Sequence, residues 1–242
     1  MTARVALFRA RQDALASAAR LRRLGFSVAC LPAIEIRAQA VRPRQSRYDA
    51  VVATSDKAFL GDGPCDNSSP LYVVGARTGR AAQARGWRLA APPARHAAEL
   101  IERLTSALRS NASVLYLAGR DRKDAIEAAL SGTFALETVE AYAAEARLSW
   151  RPREARALAS CVAALHYSRR SAALAGELAK VSGEAERFRE LRHFCLSGDV
   201  AEPLRALGAA RVAVAETPDE AGLFHVLSRD LRGFPSLGTS RI

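Results

Sequence analysis

Short apolar runs alternate with amphipathic stretches along almost the whole chain. The runs predict strands near 5–8, 28–31, 50–54, 71–74, 88–90, 114–117, 136–142, 162–167, 194–197 and 212–215. Several are unbroken rather than alternating, the pattern of a strand covered on both faces. Helices fall between them. Leu15, Ala18, Leu21 and Leu24 recur at helical spacing and Gly25 follows as a stop. Leu100, Ile101, Leu104 and Leu108 form a second apolar face, and Ala125, Ile126, Ala129 and Leu130 a third, ended by Gly132. Thr217-Pro218-Asp219-Glu220 reads as an N-cap, a first-turn proline and a glutamate placed to close a capping box. Strand–helix alternation of this kind predicts an α/β fold with parallel sheets.

Two arginine-rich, proline-punctuated stretches interrupt the alternation: RAQAVRPRQSR (37–47) and EARLSWRPREAR (145–156). Five predicted strands lie between them, and the other five are split between the two ends of the chain. One domain inserted into another explains this. The expected division is 1–36 with 146–231 as a discontinuous first domain and 37–145 as the inserted second domain. The closing stretch 232–242 has turn residues and no period, and reads as a flexible tail.

The two halves echo each other. YDAVVATSDKAF, then PLYVVGARTGRAAQARGW, then ARHAAELIERL is matched by CVAALHYSRRSAAL, RHFCLSGDVAEPLRALGA and TPDEAGLFHVL. Leu100 follows Gly75 at the same interval as Leu223 follows Gly198. VALFRARQDAL pairs in the same way with VLYLAGRDRKDAI, which sets Arg9, Arg11 and Asp13 opposite Arg120, Arg122 and Asp124. In sheets of this type ligands bind beyond the carboxyl ends of the strands. That is where Thr54 and Ser55 stand, and where Tyr167 and Ser168 stand in the other half. Helix N-termini there offer free N–H groups and partial positive charge. Plain N-capping explains either hydroxyl pair taken singly; their recurrence at matched places points to a site.

Composition narrows the chemistry. The 242 residues carry a net charge of +11, and only Lys57, Lys123 and Lys180 among the basic residues are not arginine. An anionic partner fits, although arginine spread over solvated faces gives the same total. Zinc-finger spacing, ribonucleoprotein aromatics and dense Lys/Arg runs are lacking, so nucleic acid is not the expected partner. No apolar run approaches the ~20 residues that span a bilayer. Cys30, Cys65, Cys161 and Cys195 form no CxxC, and the four histidines no HxxxH, so no metal site is expected and a reducing cytoplasm fits. Phosphate-loop, dinucleotide and GxSxG patterns are missing. Glu35, Asp13 and Asp124 make no carboxylate pair suited to acid–base work; capping and surface pairing explain them.

The order of motifs LFRARQDA, LGFSVACLPAIEI, DAVVATSDKAF, YVVGARTGRAA, YLAGRDRKD, VEAYAAEAR, LHYSRRSAA and TPDEAGLFHVL resembles the uroporphyrinogen-III synthase family over roughly residues 4–227. The resemblance implies two flavodoxin-like domains joined by a two-stranded linker, with an active site in the cleft between them. It implies a cofactor-free, monomeric enzyme that closes hydroxymethylbilane, with loss of water and inversion of ring D, to uroporphyrinogen III. It places the catalytic acid at Tyr142. Ser55, Gly75, Thr78, Ser168 and Gly198 match substrate-binding positions, with Thr54 beside them. Arg9, Arg120 and Arg122 are candidates for the carboxylates of a substrate that carries eight. Three positions depart from the family pattern: Phe8 and Tyr167 where threonine is usual, and Val200 in place of a threonine after the Gly198 turn. These leave a second reading open, a non-catalytic two-domain module that binds a tetrapyrrole or another polyanion.

Overall fold

The computed structural model describes residues 2–61, 67–122 and 124–231. The expected tail at 232–242, Cys65 and Lys123 lie outside the described residues. The chain divides into two compact units, one running up to Glu35 and resuming at Ala146, the other formed by Ile36–Glu145. In chain order the elements are β1 (Arg4–Leu7), α1 (Arg11–Arg23), β2 (Ser27–Cys30), β3 (Ile34–Ala38), β4 (Ala50–Ala53), a short 3₁₀ turn (Asp56–Phe59), β5 (Leu71–Val73), α2 (Ala76–Gln83) and α3 (Ala97–Ala107). There follow β6 (Ser113–Gly119), α4 (Ala125–Ser131), β7 (Ala135–Ala146), α5 (Pro152–Ala159), β8 (Ala163–His166), α6 (Arg169–Val181), α7 (Ala185–Glu190), β9 (Arg192–Cys195), α8 (Gly198–Ala206), β10 (Arg211–Val214) and α9 (Glu220–Leu231).

The first unit is built on a parallel sheet of order β10-β9-β8-β1-β2. Counted along the chain from β1, that is the 2-1-3-4-5 order of a doubly wound sheet. Unbroken apolar strands follow from helices on both faces. Val5, Leu7 and Leu165 pack under α1 and α9, against Ala18, Leu21, Leu223 and Leu227. Ala6, Phe8 and Ala164 face α5 to α8, against Leu158, Ala175, Phe188 and Leu204.

The second unit has the order β3-β7-β6-β4-β5, parallel from β7 to β5. Here β7, β6, β4 and β5 take the places that β2, β1, β8 and β9 hold in the first unit, as the internal repeat requires. The expected strand at 88–90 is not formed. Two isolated parallel bridges, Leu71 to Leu89 and Val74 to Ala94, mark its place on the outer side of β5. Pro92 and Pro93 lack the N–H groups that a continuous ladder needs. The sheet is mixed because β3 lies on its other edge: the Gln39 N–H donates to the Ala141 carbonyl and the Arg147 N–H to the Ala33 carbonyl, so β3 and β7 run in opposite directions.

Three local expectations fail for identifiable reasons. The stretch 145–156, expected as a loop, holds the end of β7 and the start of α5; Glu154 caps that helix by accepting from the Arg151 N–H and also holds Arg147. On α1 the buried face is Ala14, Ser17, Ala18 and Leu21, while Leu15 and Leu24 are more than half exposed. Small side chains let the helix lie close to the sheet, and the rotation turns Ser17 toward Arg9 and Glu220. On α9 the cap moves two residues along. The Gly222 N–H donates to Asp219 Oδ1 at 2.7 Å, the helix starts at Glu220, and the Glu220 carboxylate is left to pair with arginines instead of closing a capping box. Asp219→Ala should therefore destabilise the first unit by about 1 kcal/mol, and Thr217→Ala by less. Urea unfolding followed by the fluorescence of the buried Trp150 measures the difference.

Candidate active site at the strand ends

In the second unit β4 is fully buried and ends at Ala53, so Thr54 and Ser55 are the first half-exposed residues beyond it. Ser55 is extended, and its Oγ accepts from the Lys57 N–H at 3.3 Å to cap the 3₁₀ turn. Capping occupies its oxygen and leaves its proton to donate. Thr54 Oγ1 lies 3.1 Å from the hydroxyl of Tyr116, a core residue of β6. On the neighbouring strand, Gly75 precedes α2 with φ +82, a backbone region where a side chain would be strained. Its N–H donates to the Ala94 carbonyl, and the buried Thr78 sits one turn on.

Tyr142 reaches the same end of the sheet by a register shift. Ala118 pairs with Glu140, but Gly119 pairs with Tyr142, so Ala141 is an extra residue in β7. A bulge of this kind re-aims the side chain that follows it. The half-buried Tyr142 ring lies across Gly119, where a Cβ would stand 2.7 to 2.8 Å from the ring carbons and hydroxyl. Arg122 donates to the Gly119 carbonyl and grips Glu127 through two hydrogen bonds of 2.9 and 2.8 Å. The Arg122 guanidinium holds the Glu127 carboxyl below its usual range. Arg120 pairs with Glu140 and donates to Gln39. Thr54, Ser55, Tyr142, Arg120 and Arg122 thus gather at the carboxyl edge of one sheet, with Gly75 and Thr78 on the adjoining strand end.

In the first unit Arg9 leaves β1 and stacks on Tyr167, its guanidinium 4.1 Å from the ring centre. It donates to Ser17 at 2.8 Å and to Glu220 at 3.0 Å. The Tyr167 hydroxyl is buried without a well-formed hydrogen bond, although Ser17 and Glu220 lie close enough to act on it; burial pushes its pKa up. Ser168 is exposed, and its Oγ accepts from the Ser171 N–H at 3.2 Å to cap α6. Gly198 opens α8 and is exposed, while Val200, on that helix, is buried in the core. Phe8 is also core, stacked between Trp150 and His166. Two of the departures from the family pattern are therefore packing residues here.

Sequence reading missed Tyr116, Gly119 and Glu220. A glycine at the end of an apolar run marks a close backbone approach, and Gly119 carried that signal. Tyr116 and Glu220 carried none, because their partners are distant in the chain. The three arginines were expected to be open to an anion; each is paired with a carboxylate of the protein itself.

Residues 16–225 match the family described as uroporphyrinogen-III synthase HemD. No curated protein matches the sequence. Among solved structures, the uroporphyrinogen-III synthetase of Helicobacter pylori 26695 superimposes with a TM-score of 0.59 at 13% identity, covering 95% of this chain and 99% of that one. A mutant uroporphyrinogen III synthase from the extremely thermophilic bacterium Thermus thermophilus is 18% identical over 96% of this chain and 99% of its own, with a TM-score of 0.48. The first likeness establishes the shared α/β fold. On the strength of the sequence match, which spans most of its length, the chain belongs to the uroporphyrinogen-III synthase family.

Proposed function

We propose that this chain carries out its family's reaction, the closure of hydroxymethylbilane to uroporphyrinogen III with loss of water and inversion of ring D, through the residues gathered at the strand ends. The family match over residues 16–225 carries this reading. Tyr142 is the proposed acid. Its phenol can give a proton to the departing hydroxyl as the C–O bond breaks, so that water leaves. Arg9, Arg120 and Arg122 take substrate carboxylates by exchanging their glutamate partners for them. Ser55 and Ser168 donate outward while still capping their helices. Thr54 and Thr78 add hydroxyl donors, and the first turns of α2, after Gly75, and of α8, at Gly198, add backbone N–H groups.

The reading keeps the arrangement that the resemblance implies: flavodoxin-like domains at 1–36 with 146–231 and at 37–145, a two-stranded linker, and substrate held in an interdomain cleft. It takes the enzyme as a cytoplasmic monomer that needs no cofactor or metal and binds no nucleic acid. None of the helices in the described residues is long and apolar enough to cross a membrane.

The test is an isomer assay. Freshly generated hydroxymethylbilane is supplied, the products are oxidised, and type I and type III uroporphyrin are separated. Unassisted closure gives the uninverted type I ring, so conformational control is the enzyme's main contribution. Predominantly type III is the expected product. Only type I from folded protein would transfer the function to a non-catalytic polyanion-binding module.

A further inference from the structure

Tyr116 is the one member of the strand-end cluster that faces the core. It pairs with Val52 across β6 and β4 and packs with Leu100, Leu104 and Leu130 beneath α3 and α4. Its side chain is 3% exposed, yet its hydroxyl reaches the carboxyl edge of the sheet and meets Thr54 Oγ1 at 3.1 Å. A phenylalanine would fill the same core space, so packing alone does not call for the hydroxyl.

Burial favours one direction for this hydrogen bond. A buried donor left unpaired loses its hydration with no return. Among the described residues Thr54 is the hydrogen-bond partner of the Tyr116 hydroxyl; either oxygen could donate, and donation by Tyr116 is the arrangement that leaves no buried proton unpaired. With Tyr116 donating, the proton of the half-buried Thr54 at the sheet edge is left to point away from Tyr116. Burial also raises the Tyr116 pKa, so the phenol keeps its proton. Chained donors of this kind polarise one another.

We propose that Tyr116 is a positioning residue: by donating to Thr54 it fixes the threonine hydroxyl as an outward donor for a carboxylate of the substrate. The proposal rests on the reading that substrate binds at this strand end. The two hydroxyls form a single recognition unit of which only the outer member touches ligand. Arg122, held against Glu127, and Tyr142, on Gly119, flank it.

The experiment compares Tyr116→Phe, Thr54→Val, Thr54→Ser and the Tyr116→Phe/Thr54→Val double variant in the isomer assay, with KM and kcat separated. Binding of uroporphyrin III, an octacarboxylate, is measured in parallel by fluorescence quenching. Tyr116→Phe should raise KM and weaken binding about three- to tenfold, the size of one hydrogen bond. Its kcat should stay within about twofold, because uniform binding is what has been lost. Thr54→Val should weaken binding at least as much, and Thr54→Ser should restore most of the loss. The double variant should be no worse than Thr54→Val alone, since Tyr116 acts only through Thr54. Tyr116→Phe with unchanged KM and unchanged uroporphyrin binding would overturn the proposal, as would full additivity in the double variant, which signals a packing effect. If the wild type yields only type I product, the catalytic reading fails while the binding arm still decides the role of Tyr116.

Discussion

Gly119→Ala is expected to lower the rate of type III uroporphyrinogen formation about a hundredfold or more, as much as Tyr142→Phe, while the second unit stays folded. The two substitutions fail differently. Tyr142→Phe leaves the ring in place and removes the proton. Gly119→Ala leaves the proton and displaces the ring, because the new Cβ would lie 2.7 Å from a ring carbon of Tyr142 and 2.8 Å from its hydroxyl. The atoms met belong to the far end of a half-buried side chain, which can swing aside. The cost to stability is then only about 1–3 kcal/mol, but a shift of about 1 Å in a reacting group is enough to lose two orders of magnitude. The clash is specific to the register shift after Ala118, which sets Tyr142 rather than Ala141 beside Gly119. Steady-state rates with product isomers separated, alongside circular dichroism of each variant, make the comparison. Unimpaired type III formation by Gly119→Ala would show that the position of the Tyr142 ring does not matter to the reaction. Uroporphyrin binding should survive Tyr142→Phe, since the role proposed for Tyr142 is to serve the departing hydroxyl and not the carboxylates.

The second large effect concerns acid. His166 and His193 are both 1% exposed in the first unit and are hydrogen-bonded to each other at 3.0 Å. The chain of partners fixes their protons. His193 Nε2–H donates to the Phe188 carbonyl at 2.8 Å, so its Nδ1 must accept from His166 Nε2–H. His166 Nδ1 is left buried without a partner. Burial lowers both pKa values, that of His193 to about 4 and that of His166 well below its usual range, where the neighbouring His193 adds to the effect. A proton added at either ring would stand unpaired among Phe8, Phe188 and Trp150 or break the bond between the rings.

Because the folded pKa values lie below the unfolded value near 6.5, the unfolded chain binds more protons and stability is lost as pH is lowered. The contribution is fully present above about pH 6.5 and is lost below it at about 1.4 kcal/mol per pH unit for each histidine. Between pH 7 and 5 this amounts to about 2 kcal/mol per ring. Carboxylates held by arginines, such as Glu154 and Glu127, lose their contribution only as pH falls below their ordinary range, so the window above it belongs to the histidines. Urea unfolding at the two pH values, read from Trp150 in a Trp87→Phe background, isolates the first unit; Trp150 stacks on Phe8, which stacks on His166. The midpoint should drop steeply in the parent and much less in His193→Leu. Equal midpoints at pH 7 and 5 would show that the pair takes up protons without cost.

Much of the fold was legible because it depends on local periodicity. Unbroken apolar runs such as 50–53 predicted strands covered on both faces, and β4 and β8 are buried at every position. The internal repeat paired the segments of the two halves, and in the fold β7-β6-β4-β5 repeats β2-β1-β8-β9. Plain N-capping was one reading of the hydroxyls at the ends of those runs, and Ser55 and Ser168 do cap the turns that follow them. A cap, a turn glycine and a strand run each depend on neighbours a few residues away, so the sequence carries them in order.

What the sequence did not carry depends on partners far along the chain. Which face of α1 is buried was decided by the packing of Ala14, Ala18 and Leu21 on the sheet and α9, which also brings Ser17 to Glu220, more than 200 positions away, and leaves Leu15 in solvent. The arginines looked available as anion sites until folding supplied Glu220, Glu140 and Glu127 as partners. The 88–90 run had strand-like residues but lost its ladder to the prolines that follow it. Tyr142 could be singled out in the sequence, yet its aim depends on one extra residue in β7 against β6, and Tyr116 reads there as one more apolar core position. Length, charge, strands, caps and repeat are set by composition and short-range sterics, which act before the chain has closed on itself. The ion pairs, the bulge register and the Tyr116–Thr54 contact exist only once strands distant in sequence lie about 5 Å apart, and their energies are small enough that only the assembled sheet decides among the alternatives.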